Sequence, residues 1–393
     1  MVPVLQIAAF CVYFTTVENI SSLQLHPMPT TFFPRFCLAF LVSILIGCSA
    51  SAQSFAGVDD WLQSNAPHLG GRAVLVVYKG GKVVYTNAVN EMSRRQKRVS
   101  RFIAQRQGKE ANVDDLTTTS RLPIASCSKW LSAALVMTFV DEGKLKLTDS
   151  VGRWLPVLSQ HGKGAITISQ CLSHLTGIKA PPLKESLQET REISSMEEAI
   201  EKLATLPAEG APGTVFHYSN AGLQIAGAVL EKISGKSFEQ LFAERLAKPL
   251  QMKNTDFGKG RVALPAGGAQ STAEDYLHFL VMILNNGVFE GKRILSEQSI
   301  REMQVNRITP AVRVAYSPAE AGDFGYGYGE WVMETSTLTN RTTAVCSPGL
   351  FGAFPLVESE KGYCAFLLCY NLKSKGRNER YKELKSLLDK ALN

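Results

Sequence analysis

Leu122-Pro123-Ile124-Ala125-Ser126-Cys127-Ser128-Lys129, followed by the helical stretch Trp130 to Val140, sets a Ser-x-x-Lys motif between a short apolar run and a helix. A serine hydroxyl is almost wholly un-ionised at neutral pH, so an acyl-transfer enzyme needs a base or a charge beside it. On a helix, residues i and i+3 share a face, so a helix that begins at or near Ser126 turns Ser126 and Lys129 towards one pocket. Any serine and lysine three apart satisfy this spacing, and most such pairs are solvated surface. The rest of the chain has to corroborate it.

Pro212-Gly213 makes a turn before Val215-Phe216-His217-Tyr218-Ser219-Asn220, and a helical pattern then runs from Ala221 to Ser234 and stops at Gly235. Its apolar stripe is Leu223, Ala226, Leu230 and Ile233. In an extended segment residues two apart point the same way, so Tyr218 and Asn220 both enter a cleft. The alternative is that Ser219 or Asn220 merely caps the next helix. Further on, Thr342 to Cys346 leads through β-branched residues into Ser347-Pro348-Gly349-Leu350-Phe351-Gly352.

These three motifs, in this order, resemble those of the serine β-lactamase and penicillin-binding-protein superfamily, in its class C β-lactamase, DD-peptidase and family VIII carboxylesterase branch. The resemblance extends through Phe139 to Leu145, Ile166 to Ile168, His174-Leu175-Thr176-Gly177 and Ser271 to Tyr276, from about Gly70 to the C-terminus. It implies an exported serine hydrolase with an acyl-enzyme on Ser126. It further implies that Lys129 lowers the cost of deprotonating Ser126 and that Tyr218 is the partner base, its phenol acidified by the ammonium. Asn220 is implied to hold the substrate's side chain and orient Lys129, with Ser347 and Gly349 also contacting substrate. The backbone N–H groups of Ser126 and Leu350 are implied to form the oxyanion hole. No metal or cofactor is implied.

One position departs from the pattern. Relatives carry Lys or His where this chain has Ser347, and a neutral hydroxyl holds a carboxylate more weakly than a charged donor does. The reading therefore leans towards ester or amide hydrolysis of an esterase-like or peptidase-like kind. The alternatives are a true class C-like β-lactamase or DD-carboxypeptidase, and a penicillin-binding sensor or scaffold without turnover. Arg341, Lys373 and Arg377 are the cations that remain nearby in sequence, each expected at the surface.

The expected fold class is α+β, β-lactamase/transpeptidase-like: an antiparallel β-sheet flanked by helices, plus a mostly helical lobe. Residues 70–124 and 266–393 are assigned to the sheet lobe and 125–265 to the helical lobe, within one hydrolase domain of residues 55–393. Arg72 to Tyr78, Lys79-Gly80-Gly81 and Lys82 to Asn87 read as a hairpin. Ala344 to Leu356 and Cys364 to Tyr370 read as strands, and Arg380 to Leu392 as the terminal helix.

With 393 residues, 45% of them hydrophobic, the chain can bury a large core. Arg35, the apolar run Phe36 to Ile46 and then Gly47-Cys48-Ser49-Ala50-Ser51-Ala52 have the layout of an export signal over residues 1–52, and Met28 is a second candidate start. Leu45 to Cys48 resembles a lipobox, which makes Cys48 a candidate for lipidation and membrane anchoring in the periplasm or cell envelope. Ala50-Ser51-Ala52 offers ordinary cleavage instead.

Setting aside Cys11, Cys37 and Cys48 leaves five cysteines without a C-x-x-C, and Cys346 with Cys364 is the one pairing that neighbouring strands could bring together. Cys127 is read as a packing residue. No G-x-S-x-G elbow supports a Ser-His triad, so His217 is read as a cleft neighbour and His174 as a helix-end residue. Gly235-Lys236-Ser237 lacks the glycine of a P-loop, since position 230 is Leu. The net charge is +7, concentrated in Glu91 to Glu110, where seven cations face two glutamates. Two readings of that segment stand: a solvated surface element, or contact with anionic lipid or a polyanion. Nucleic acid is not an expected partner.

Overall fold

Aliphatic and β-branched residues from Arg72 to Lys79 form strand β1, and Lys82–Asn90 returns beside it as β2. Gly80 and Gly81 link them with φ of 59° and 85°. A type I′ turn needs positive φ at both central positions, which glycine reaches without a Cβ clash. Ala73 to Val77 are all buried, so both faces of β1 are covered. Val74 and Val76 enter one core, while Ala73, Leu75 and Val77 enter the other.

The computed structural model describes residues 54–106, 108, 110–181, 193–258 and 262–393. The export signal expected over residues 1–52, with Cys48, lies outside them. Five strands late in the chain complete the sheet: β3 (Gly325–Tyr326), β4 (Trp331–Thr335), β5 (Thr342–Cys346), β6 (Phe354–Glu358) and β7 (Tyr363–Cys369). Their order is β2-β1-β7-β6-β5-β4-β3, with every neighbouring pair antiparallel.

Two expectations are corrected here. The single strand expected from Ala344 to Leu356 is two strands, because Pro348 has no N–H for the ladder and the chain turns out of the sheet over residues 347–353. The Cys346–Cys364 pairing fails because β6 lies between β5 and β7. Cys346 is opposite Leu356 and Cys364 opposite Val357, and the two thiols sit in different cores. Both are free and buried, as are Cys127, Cys171 and Cys369.

The helices that frame the sheet and the site are α1 (Ala56–Asn65), α2 (Arg94–Arg106), α3 (Ser128–Asp141), α4 (Ala221–Ser234), α5 (Ala273–Leu284) and α6 (Arg377–Ala391). α1 and α6 cover one face of the sheet with Trp61, Leu62, Leu384 and Leu388. α6 starts at Arg377, three residues before the expected Arg380. α5 covers the other face, where Tyr276 stacks on Phe366 of β7 at 4.6 Å. α3 is covered all round, Ser128 to Phe139 being buried without interruption, as a helix enclosed by others must be. α4 is also buried beyond its expected stripe, from Ala221 to Leu230 without interruption.

Candidate active site

Ser126 lies in a 3-10 turn, Ala125–Cys127, that runs directly into α3. Ala125 has φ of 46°, a left-handed conformation costing a residue with a Cβ about 1 kcal/mol. Ser128 holds this turn: its hydroxyl donates to Ala125 O at 2.5 Å and accepts the Ala269 N–H at 3.0 Å. Tyr276 adds a bond from its hydroxyl to Cys127 O at 2.8 Å. These supporting residues escape a reading of the sequence because they serve backbone groups, for which no side-chain pattern exists. Cys127, fully buried, packs with Sγ 3.7 Å from Ala353 O, and burial pushes its thiol pKa up.

Lys129 stands in the first turn of α3. Its Nζ is 3.2 Å from Ser126 Oγ, 3.2 Å from Asn220 Oδ1 and 2.7 Å from Ala266 O. All three acceptors are neutral, and the side chain is 1% exposed. Desolvation brings its pKa from the ordinary 10.5 down to about 7, with a smaller opposing influence from Cys127. Tyr218 follows the short strand Val215–His217 and borders the same cavity as Ser126, its ring centroid 4.8 Å from Nζ.

The expectation that an ammonium acidifies the phenol is overturned. Burial raises the Tyr218 pKa, and the neighbouring Ser126 side chain offsets only part of that. The fold strips water from both groups and, among the described residues, pairs neither with an opposite charge, which disfavours the charged form of each. An amine that titrates near pH 7 and a phenol held protonated therefore flank the serine hydroxyl.

An aromatic cage fixes the phenol. Trp331 of β4 stacks on Tyr218 at 5.2 Å, and the His174 ring lies 4.6 Å away. His174 follows the short helix Ile168–Leu172, but it is buried and its Nε2 is 3.0 Å from the Tyr326 hydroxyl. Burial holds its pKa well below the usual value. It is thus packed beneath Tyr218, beyond the helix-end role expected of it. His217 lies on the cleft wall, where Nδ1 donates to Glu209 Oε1 at 2.5 Å.

The turn between β5 and β6 forms the opposite wall. Ser347 is 2% exposed, and its hydroxyl donates to Gly329 O at 2.9 Å with Ser126 O at 3.4 Å. It ties two backbone segments together and does not line the cavity, which Pro348, Gly349 and Leu350 do. At Gly349 a Cβ would stand 2.3 Å from Ile124 O, so only glycine lets this turn approach the nucleophile loop so closely. Among the described turns and loops, neither the Ser126 N–H nor the Leu350 N–H donates to a backbone carbonyl.

Arg377, expected at the surface, is 4% exposed. Its guanidinium donates to Leu350 O at 2.8 Å, to Glu320 at 3.2 Å and to Asn371 O. The early start of α6 points it under the turn, where three carbonyl or carboxylate acceptors would otherwise lack partners. Arg341 and Lys373 are exposed.

Ser126 and Lys129 open on a cavity of about 980 Å³. Leu203, Leu206, Leu264 and Pro318 give it an apolar wall, with Asn220, the Glu209–His217 pair, Lys179 and Lys202 as polar points. Among the described residues, no group of three His, Cys, Asp or Glu side chains is placed to hold a metal ion.

A family model for β-lactamases matches residues 68–388, from just before β1 through α6 almost to its end. The chain belongs to the β-lactamase family. Protein Rv1367c of Mycobacterium tuberculosis is 27% identical over 285 residues, covering 59% of this β-lactamase-family chain and 70% of Rv1367c. The D-alanyl-D-alanine-carboxypeptidase/endopeptidase AmpH of Escherichia coli is 21% identical over 229 residues, or 52% of this chain and 59% of AmpH. Among solved structures, EstCE1, a hydrolase with promiscuous acyltransferase activity, superposes with a TM-score of 0.66 at 20% identity, covering 88% of this chain and 100% of EstCE1. The fold is thus that of β-lactamases and transpeptidases, and the chain is serine-hydrolase-like.

Proposed function

We propose that this protein is a serine hydrolase that forms an acyl-enzyme on Ser126 and cleaves an ester or amide carbonyl. The observation that carries this reading is the buried amine of Lys129, with a pKa of about 7, 3.2 Å from the Ser126 hydroxyl. About half of it is neutral at pH 7, so it can accept a proton.

In the acylation step Ser126 Oγ attacks the carbonyl carbon while its proton passes to Lys129 Nζ. The carbonyl π pair moves onto oxygen, and the N–H groups of Ser126 and Leu350 stabilise that charge. Collapse of the tetrahedral intermediate breaks the bond to the alkoxide or amine, which leaves with the proton that Lys129 took up. Tyr218, on the wall of the same cavity, offers a relay for this proton. Water then adds to the acyl carbonyl, gives a proton to the same amine, and Ser126 leaves as the restored hydroxyl. Asn220 holds Lys129 in place through its Oδ1 and presents its amide N–H₂ to the substrate.

The opposite wall, beside the nucleophile, supports a reading of the substrate class. Ser347 brings no charge and its hydroxyl is already used by backbone carbonyls. An ester or amide without a carboxylate beside the scissile bond suits such a site better than a β-lactam does. We also propose export to the cell envelope, on the signal layout of residues 35–52, with Cys48 as the candidate anchor.

Parallel assays of a short-chain p-nitrophenyl ester and a chromogenic cephalosporin, with Ser126→Ala as control, test this function. Ester turnover lost in Ser126→Ala, with slow or absent cephalosporin turnover, is the expected result. Fast cephalosporin turnover would overturn the substrate assignment, and activity surviving in Ser126→Ala would overturn the nucleophile.

A further inference from the structure

The basic segment resolves into α2, Arg94–Arg106, a helix without an acidic residue. Gln96, Ser100 and Ala104, spaced by four, are partly covered along with Lys97, and they mark the side that faces the protein. Gln96 Nε2 donates to Gly70 O at 3.1 Å and pins that side. The outer side exposes Arg94, Arg95, Arg98, Arg101 and Arg106.

Large apolar side chains stand among these cations. Val99, Phe102 and Ile103, at i, i+3 and i+4, are 49%, 54% and 50% exposed. The Arg106 guanidinium lies 4.6 Å over the Phe102 ring. A helix that merely faces water gains from acidic residues paired at i+4 and has no use for this stripe. At a bilayer surface both features have partners: arginines meet lipid phosphates, and the apolar side chains reach the boundary of the acyl chains.

We propose that α2 is a docking surface for an anionic lipid bilayer, lying flat in the headgroup region. A soluble polyanion would satisfy the arginines and leave Val99, Phe102 and Ile103 in water, so the lipid surface is the better match. This surface is separate from the Ser126 cavity and stands whatever the substrate is.

The test is co-sedimentation of the full chain with phosphatidylcholine vesicles, with and without phosphatidylglycerol, at low and high salt. The expected result is binding that needs phosphatidylglycerol and weakens with salt. Arg95→Gln and Arg98→Gln should each lower binding about fivefold. The double variant Phe102→Ser, Ile103→Ser should lower it at least about tenfold. Melting temperature and ester turnover should be unchanged in every variant. Residues 36–46 are present in all of these proteins, so any insertion of that apolar run cancels in the comparison. Binding that is absent, equal on neutral vesicles, or unaltered in the variants would overturn the proposal. So would loss in the arginine variants alone with heparin bound equally by parent and serine variant, which would mark a polyanion site.

Discussion

Asn220→Asp is the change that most sharply questions the role of Lys129. The substitution keeps the shape of the side chain and places a carboxylate where Oδ1 now sits, 3.2 Å from Nζ. At an effective dielectric of about 20, unit charges at that distance attract by about 5 kcal/mol. One pH unit corresponds to about 1.36 kcal/mol, so an amine that now titrates near 7 should titrate at about 11 in the variant.

The sign follows from which form reacts. The neutral amine accepts the proton, so kcat/KM of the parent should rise tenfold per pH unit below about 7 and flatten above it. In Asn220→Asp the same limb should move to about pH 11, leaving activity at pH 7 about three thousandfold lower. Asn220→Leu, which removes substrate contacts without adding charge, separates the two effects: its rate should fall with the limb still near 7 or below. The assay is the pH profile of ester hydrolysis, pH 5 to about 11. If Asn220→Asp loses rate while its limb stays near 7, Lys129 is not the titrating base.

Five further outcomes are expected. Burial of a neutral lysine disfavours folding wherever the unfolded chain binds the proton that the folded one lacks, so stability should rise with pH between about 7 and 10.5. Lys129→Met should abolish turnover yet stabilise the protein at pH 7 by about 2 kcal/mol, net of the acceptors orphaned on Ala266 and Asn220, with the gain fading by about pH 10 in denaturant titrations. Gly349→Ala drives a Cβ against Ile124 O and should move the Leu350 N–H, lowering kcat by about a hundredfold with a smaller change in KM. Arg377→Leu leaves Glu320 and the Leu350 carbonyl unpaired and should cost about 3 kcal/mol of stability in calorimetry or urea unfolding. Ser347→Lys should not create cephalosporin turnover, because the side chain points into buried backbone, and it should lower the melting temperature instead.

The hairpin and helices α3 and α4 were legible because their signals are local: a double-glycine turn, a long apolar stretch, and a periodic pattern closed by Gly235. The spacing of Ser126 and Lys129 was readable for the same reason, since one helical turn fixes their separation. What needed the structure was set by long-range packing. The insertion of β6 between β5 and β7 separates Cys346 from Cys364, and nothing near either cysteine encodes it. The protonation of the Lys129–Tyr218 pair depends on how much water the whole fold excludes, so a short sequence window pointed to an acidified phenol where burial gives a neutral one. Arg377 reads as a surface cation until the start of α6 carries it beneath Leu350. His174 likewise gains its place beside Tyr218 from a turn at φ of 58°, and the partners that turn brings together are distant in sequence.

The central claim is a covalent acyl group on Ser126, and mass spectrometry of the intact protein and its peptides after reaction with a fluorophosphonate or a slowly hydrolysed p-nitrophenyl ester tests it most directly. The account predicts one adduct per chain, mapped to the peptide containing Ser126, absent in Ser126→Ala, and transient with the ester. An adduct on another residue, or ester turnover with no covalent intermediate at Ser126, would contradict it.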